Sequence, residues 1–169
     1  METVKNGSQS RAVLTQTKNN TTLWIGHLQN DMADHLAGQT FICPSDGELD
    51  NIQVYSSFVQ RPGTITLTLH EFDTHSKTWK NAFASSAVFV TKNQESKWLS
   101  FSLQKTNLEK DKTYAFRLQS EDGMIGIGEL VRGNQDPCFF GQEWNASSDN
   151  DGGTYFTWFS LAFKVEMVA

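Results

Sequence analysis

Hydrophobic and polar side chains alternate along this chain far more often than they recur at helical spacing, most plainly over residues 38–72. There Ile65, Leu67 and Leu69 fall on one face and Thr64, Thr66, Thr68 and His70 on the other, the period-two mark of a half-buried strand. The run before it sets Ile52, Val54 and Phe58 against Gln53, Tyr55 and Ser57, with a Ser-Asp-Gly turn ahead of it and a Pro-Gly turn between the two. Further along, Leu99, Phe101 and Leu103 oppose Trp98, Ser100 and Ser102, and Tyr114, Phe116 and Leu118 oppose Ala115, Arg117 and Gln119. Residues 154–168 read as one long closing strand, with Phe159, Leu161, Phe163 and Val165 inward and Trp158, Ser160, Ala162 and Lys164 outward. Residues 23–28, 83–90 and 124–131 supply further strands, and in the last of these Gly126 and Gly128 mark a bulge or a close backbone approach.

No strong amphipathic helix interrupts this pattern. The expected fold is therefore all-β, an antiparallel jelly-roll β-sandwich of about eight to ten strands with turns at sandwich spacing. One domain over residues 21–169 accounts for it, preceded by residues 1–20 as a partly disordered segment or edge strand. With 169 residues, five Trp and twelve Phe, the chain can bury an aromatic-rich core without disulfides or metals.

Charge narrows the partners. A net charge of −5 and no cluster of Lys and Arg disfavour nucleic acid and anionic membrane, so a neutral partner fits better. No apolar run approaches the roughly 20 residues of a membrane span. Residues 1–11 contain no secretory signal, which places the protein in the cytoplasm, or outside the cell or at its surface if a signal has been trimmed. Cys43 and Cys138 match no metal or redox spacing; Cys43 shares the parity of Phe41 and reads as a buried thiol, and a disulfide stays open for an exported protein. The oligomeric state stays open as well.

Catalytic motifs are missing. There is no nucleophile elbow, zinc-binding His-Glu-x-x-His or phosphate loop, and no cofactor is called for. His70, Glu71, Asp73 and His75 resemble a metal cluster until strand direction is considered, because neighbours on a strand point to opposite faces. Asp31, Asp34 and His35 share a short loop at residues 29–36, where acidic residues are more often solvated than bound to a cation.

Ligand chemistry is better represented. Binding a sugar takes flat aromatic surfaces for the ring and planar polar groups for its hydroxyls. Trp79 and Trp144 fall in expected loops, and the irregular stretch 133–153 adds Asn145, Asp149 and Asp151 around Trp144, the first choice for a ligand loop. On the outward strand faces Tyr55, His70, Trp98 and Arg117 form a second mixture of this kind.

The order of features resembles the bacterial jelly-roll β-sandwiches known as galactose-binding-like carbohydrate-binding modules. The resemblance rests on Gly-Gln-Thr-Phe at 38–41, Ser-Asp-Gly-Glu-Leu at 45–49, Pro-Gly-Thr-Ile-Thr-Leu at 62–67, Lys-Thr-Tyr-Ala-Phe-Arg-Leu at 112–118 and Leu-Ala-Phe at 161–163. Where many such modules have an Asp before the Leu-Ala-Phe close, this chain has Ser160, so a calcium site built on that carboxylate is not implied. The resemblance implies a non-catalytic module that binds a glycan or polysaccharide. The alternatives are a structural or protein-interaction module and, less favoured, a glycan-active enzyme with paired carboxylates from distant strands.

Overall fold

The computed structural model describes residues 9–27, 33–133 and 140–169. Within them lie fourteen strands: β1 (Ser10–Gln16), β2 (Thr21–His27), β3 (Asp34–Ile42), β4 (Gly47–Arg61), β5 (Gly63–Asp73), β6 (Thr78–Trp79), β7 (Ala84–Val90), β8 (Lys97–Leu108), β9 (Thr113–Gln119), β10 (Met124–Val131), β11 (Glu143–Ser147), β12 (Asn150–Phe156), β13 (Phe159–Leu161) and β14 (Phe163–Val168). All their pairings are antiparallel. Eight strands form two four-stranded layers in the orders β2-β10-β4-β8 and β3-β9-β5-β7, the arrangement of a jelly roll. Two residue pairs, Gly26↔His35 and His27↔Asp34, carry the chain around the corner between layers, and the strands do not close into a barrel.

The remaining strands extend this frame. β14 shares an edge of the long β4 with β10, and β1 pairs with β14 on its far side. The β11–β12 hairpin adds to β3, β6 to the end of β5, and β13 to the end of β10. A single core lies between the layers: Phe163 of β14 meets Phe116 of β9 at 5.6 Å, Phe41 of β3 at 6.3 Å and Phe140 at 5.5 Å between ring centroids. Ile65, Leu67, Leu69, Ile52 and Val54 are fully buried around them, as alternation requires.

Several local expectations are corrected. Phe58, expected inward, is 54% exposed. Ser56 pairs with Ile127 and Phe58 with Gly126, so Ser57 is an extra residue in β4, and this bulge turns the following side chain to the other face. Residues 154–168 form three strands rather than one. Ser160 and Ala162, expected outward, are fully buried because the chain there crosses between layers: Ala162 N donates to Gly128 O, and Leu161 N donates to Gln39 Oε1.

Within the stretch 133–153, expected to be irregular, residues 143–153 belong to a β-hairpin of β11 and β12. Asp34 and His35, expected in a loop, open β3, while Asp31 and Cys138 lie outside the described residues. Cys43 is a buried free thiol, its pKa raised chiefly by burial. Among the described residues no helix is long and apolar enough to cross a membrane.

Candidate functional site

The two outer sheet faces gather the residues that sequence reasoning singled out, and they do so differently. On the β2-β10-β4-β8 layer the floor is Gly126 and Gly128 of β10, two residues apart and pointing outward between the buried Ile125 and Ile127. A Cβ at Gly126 would lie 2.5 Å from Thr22 Cγ2 and 3.4 Å from the Trp24 ring, and one at Gly128 would lie 3.0 Å from Tyr55 Cδ1. Missing side chains at these positions let neighbouring rings lie down across the strand.

Gly126 pairs with Trp24 on one side and Phe58 on the other. Those two rings are near-parallel, 21° apart, with centroids 6.2 Å apart. Tyr55 meets the edge of its cross-strand partner Trp98 at 5.4 Å, and Lys164 Nζ sits 4.2 Å above the Trp98 ring, covering one face of it. An open groove of about 380 Å³ runs beside this platform, bounded by Asn19, Thr22, Tyr55, Ser57, Phe58 and Ser96. No side chain bordering it carries a charge. Among the described residues the side chains of Asn19, Thr22, Ser57 and Ser96 make no hydrogen bond, so their donors and acceptors are available to a ligand. Asn20 is committed to the fold: its amide donates to Val131 O at 3.2 Å and accepts from Val131 N at 2.9 Å.

Trp24 also borders a second groove, of about 300 Å³, shared with His35, Asn145 and Asn150. Asn145 therefore works beside Trp24 and not beside its sequence neighbour Trp144. Asp149 and Asp151 are exposed at the hairpin end.

The opposite face, on β5-β9-β3-β11, brings together Trp79, Trp144, Arg117 and His70. Gly38 makes room for them, since a Cβ there would lie 3.0 Å from Trp144 and 3.1 Å from Trp79. Trp144 is 1% exposed, so neither face of its ring is free. Its Nε1 donates to Gly152 O at 3.1 Å, and Gly153, at φ 69°, passes directly against the indole. Trp79 packs on Trp144 at 5.0 Å and donates through Nε1 to Tyr155 Oη at 2.9 Å.

His70 is buried beneath Trp79, ring to ring at 5.2 Å. Its Nδ1 donates to Lys80 O at 2.7 Å, because a carbonyl can only accept, and its Nε2 accepts from Thr68 Oγ1 at 2.8 Å. Burial lowers its pKa from 6.5, which favours this neutral form, and both ring nitrogens are occupied. His75 lies apart, its backbone N–H held by Asp73. Among the described residues no three His, Cys, Asp or Glu side chains converge as a metal set.

One constellation left no trace in the sequence pattern. Glu143 of β11, fully buried, faces Glu129 of β10, 7% exposed. Both Glu143 carboxyl oxygens are buried without a hydrogen-bond partner among the described residues, an environment that disfavours the carboxylate and keeps the proton on Glu143. Burial, and then Glu129, push the Glu143 pKa up to about 10. The carboxyl pair of a glycosidase flanks its substrate, whereas Glu143 has no exposed face.

Phe58, expected inward, and Trp24, assigned to no face, are the platform residues that the sequence pattern missed. Gly126 and Gly128 were the available signal, since paired outward glycines ask what occupies the space above them. Compared with known proteins, the chain matches no family model and no curated sequence.

Proposed function

We propose that the protein is a non-catalytic carbohydrate-binding module whose ligand lies on the Trp24–Phe58–Tyr55 face. The observation that carries this reading is the glycine-floored platform itself. Trp24, Phe58 and Tyr55 gather over the two glycines, beside a groove whose uncharged polar groups include those of Asn19, Thr22, Ser57 and Ser96, without hydrogen-bond partners among the described residues. Stacking satisfies the apolar face of a pyranose, and neutral donors and acceptors pair with its hydroxyls, so the ligand class is a neutral glycan. The galactose-binding-like likeness noted in the sequence points to the same class without determining it.

Screening on a glycan array, followed by calorimetry with the best neutral glycan, tests this. Trp24→Ala and Tyr55→Ala should each weaken binding about tenfold or more, while Trp79→Ala on the opposite face should leave it unchanged. Retention of no glycan by a folded wild-type protein, together with dimerisation through Phe58, would replace this reading with the protein-interaction alternative.

A further inference from the structure

We propose that the Arg117 cluster, on the sheet face opposite the neutral groove, is a second binding site that takes the carboxylate of a sugar acid of the uronate type. Arg117 Cζ lies 4.6 Å from the Trp79 ring centroid and 4.6 Å from that of Trp144. The two rings are tilted 57° to each other, so the guanidinium rests in the V between them. Among the described residues no carboxylate pairs with it, its side chain makes no hydrogen bond, and its Nε is buried without a partner.

A half-buried cation is ordinarily paired. An exposed cation joins the same aromatic cluster: Lys77 Nζ is 4.8 Å from the ring centroid of Tyr155, the residue that accepts the Trp79 indole N–H. Lys77 also lacks a carboxylate among the described residues, whereas Lys80, Lys92 and Lys112 each have one. His70, held neutral, adds no charge. One aromatic cluster thus carries two uncompensated positive charges on a chain of net charge −5.

The ligand follows from these shapes. A guanidinium presents a rigid planar fork that matches a carboxylate through two parallel N–H···O bonds, and cation–π contact on both rings fixes its orientation. The partly exposed Trp79 and Tyr155 rings border the fork with flat apolar surface. A pyranose ring bearing a carboxylate fits both features. The site stands independently of the neutral groove, which lies on the other layer.

Titration of tryptophan fluorescence with sodium glucuronate tests the proposal, because Trp79 and Trp144 touch the group that would bind. Glucose and sodium acetate serve as comparisons at matched ionic strength. Glucuronate should give a saturable change, glucose none, and acetate should bind about tenfold more weakly for want of the ring. Arg117→Lys keeps the charge but loses the fork, and should weaken glucuronate binding about tenfold or more. Lys77→Met should weaken it about threefold, and Trp24→Ala should leave it unchanged. Thermal unfolding verifies that each variant is folded; if Arg117→Lys is not, Lys77→Met decides, since the Lys77 side chain is exposed and makes no hydrogen bond or ion pair among the described residues. Absence of a saturable response in the wild type, equal binding of glucose or acetate, or full affinity in folded Arg117→Lys would overturn the proposal.

Discussion

Replacing Glu143 with Gln should remove a fall in stability with rising pH that the wild-type protein carries across the neutral range. The carboxyl pKa is raised from an ordinary 4.5 to about 10 in the folded state. Between those values the unfolded chain has released the proton that the folded chain keeps. A raised folded pKa contributes stability that is complete below about pH 4.5 and is lost as pH rises toward about 10, at up to about 1.4 kcal/mol per pH unit. From about pH 5.5 to about pH 7.5 the loss is roughly 3 kcal/mol, on the order of 5–10 °C in Tm for a chain of this size. A Gln amide at this position is close in size to the protonated carboxyl and has no proton to lose.

His70 contributes with the opposite sign in part of this range. Its pKa is lowered by burial, so its contribution is present above pH 6.5 and is lost as pH falls. Comparing Glu143→Gln with the wild type at each pH cancels that contribution. Urea unfolding of both proteins at several pH values reads the difference directly. The expected result is convergence near about pH 4.5 and a Glu143→Gln advantage that grows steadily above it. Parallel stability curves for the two proteins would refute the retention of a proton by buried Glu143.

Other consequences are as specific. Phe163→Ala removes the ring on which Phe41, Phe116 and Phe140 converge and should destabilise the fold by about 3–5 kcal/mol in urea unfolding. Gly126→Val drives a branched side chain against Thr22 and Trp24, so it should abolish glycan binding in calorimetry while circular dichroism still reports a folded β protein. Glu71 is held below its ordinary pKa chiefly by Lys112 and then Lys80, so its contribution is lost as pH falls below about 4.5, and Glu71→Gln should flatten the acid limb of the stability curve. Cys43 should resist an aromatic disulfide reagent in the native protein and react once unfolded, since burial both covers the thiol and raises its pKa.

Much of the scaffold was legible because each strand reports its own buried face. Leu67 needs only its neighbours Thr66 and Thr68 to declare itself inward. Phe58 could not be read in this way: its direction depends on one extra residue in β4, visible only against the register of Gly126 and Ile127 across the ladder. Trp144 posed a similar difficulty, because its burial follows from the space above Gly38, a residue of another strand more than a hundred positions away. The outward parity of Arg117 and His70 was readable, and their neighbourhood was not, since Trp79 covers them from the two-residue strand β6. Glu129 and Glu143 gave no signal, because neither strand pattern reveals that the crossing at β13 brings β10 and β11 within reach.

The proposed binding of a neutral glycan by the Trp24–Phe58–Tyr55 face is probed with least disturbance by Phe58→Ser. Phe58 is 54% exposed, and an exposed substitution of this kind alters stability by about 0.5 kcal/mol or less. Affinity electrophoresis in gels containing a neutral polysaccharide selected on the array compares this variant with the wild type. Retarded migration is expected of the wild type and near-free migration of Phe58→Ser, with equal mobility in gels lacking the polysaccharide. Equal retardation of both proteins would contradict binding at this face.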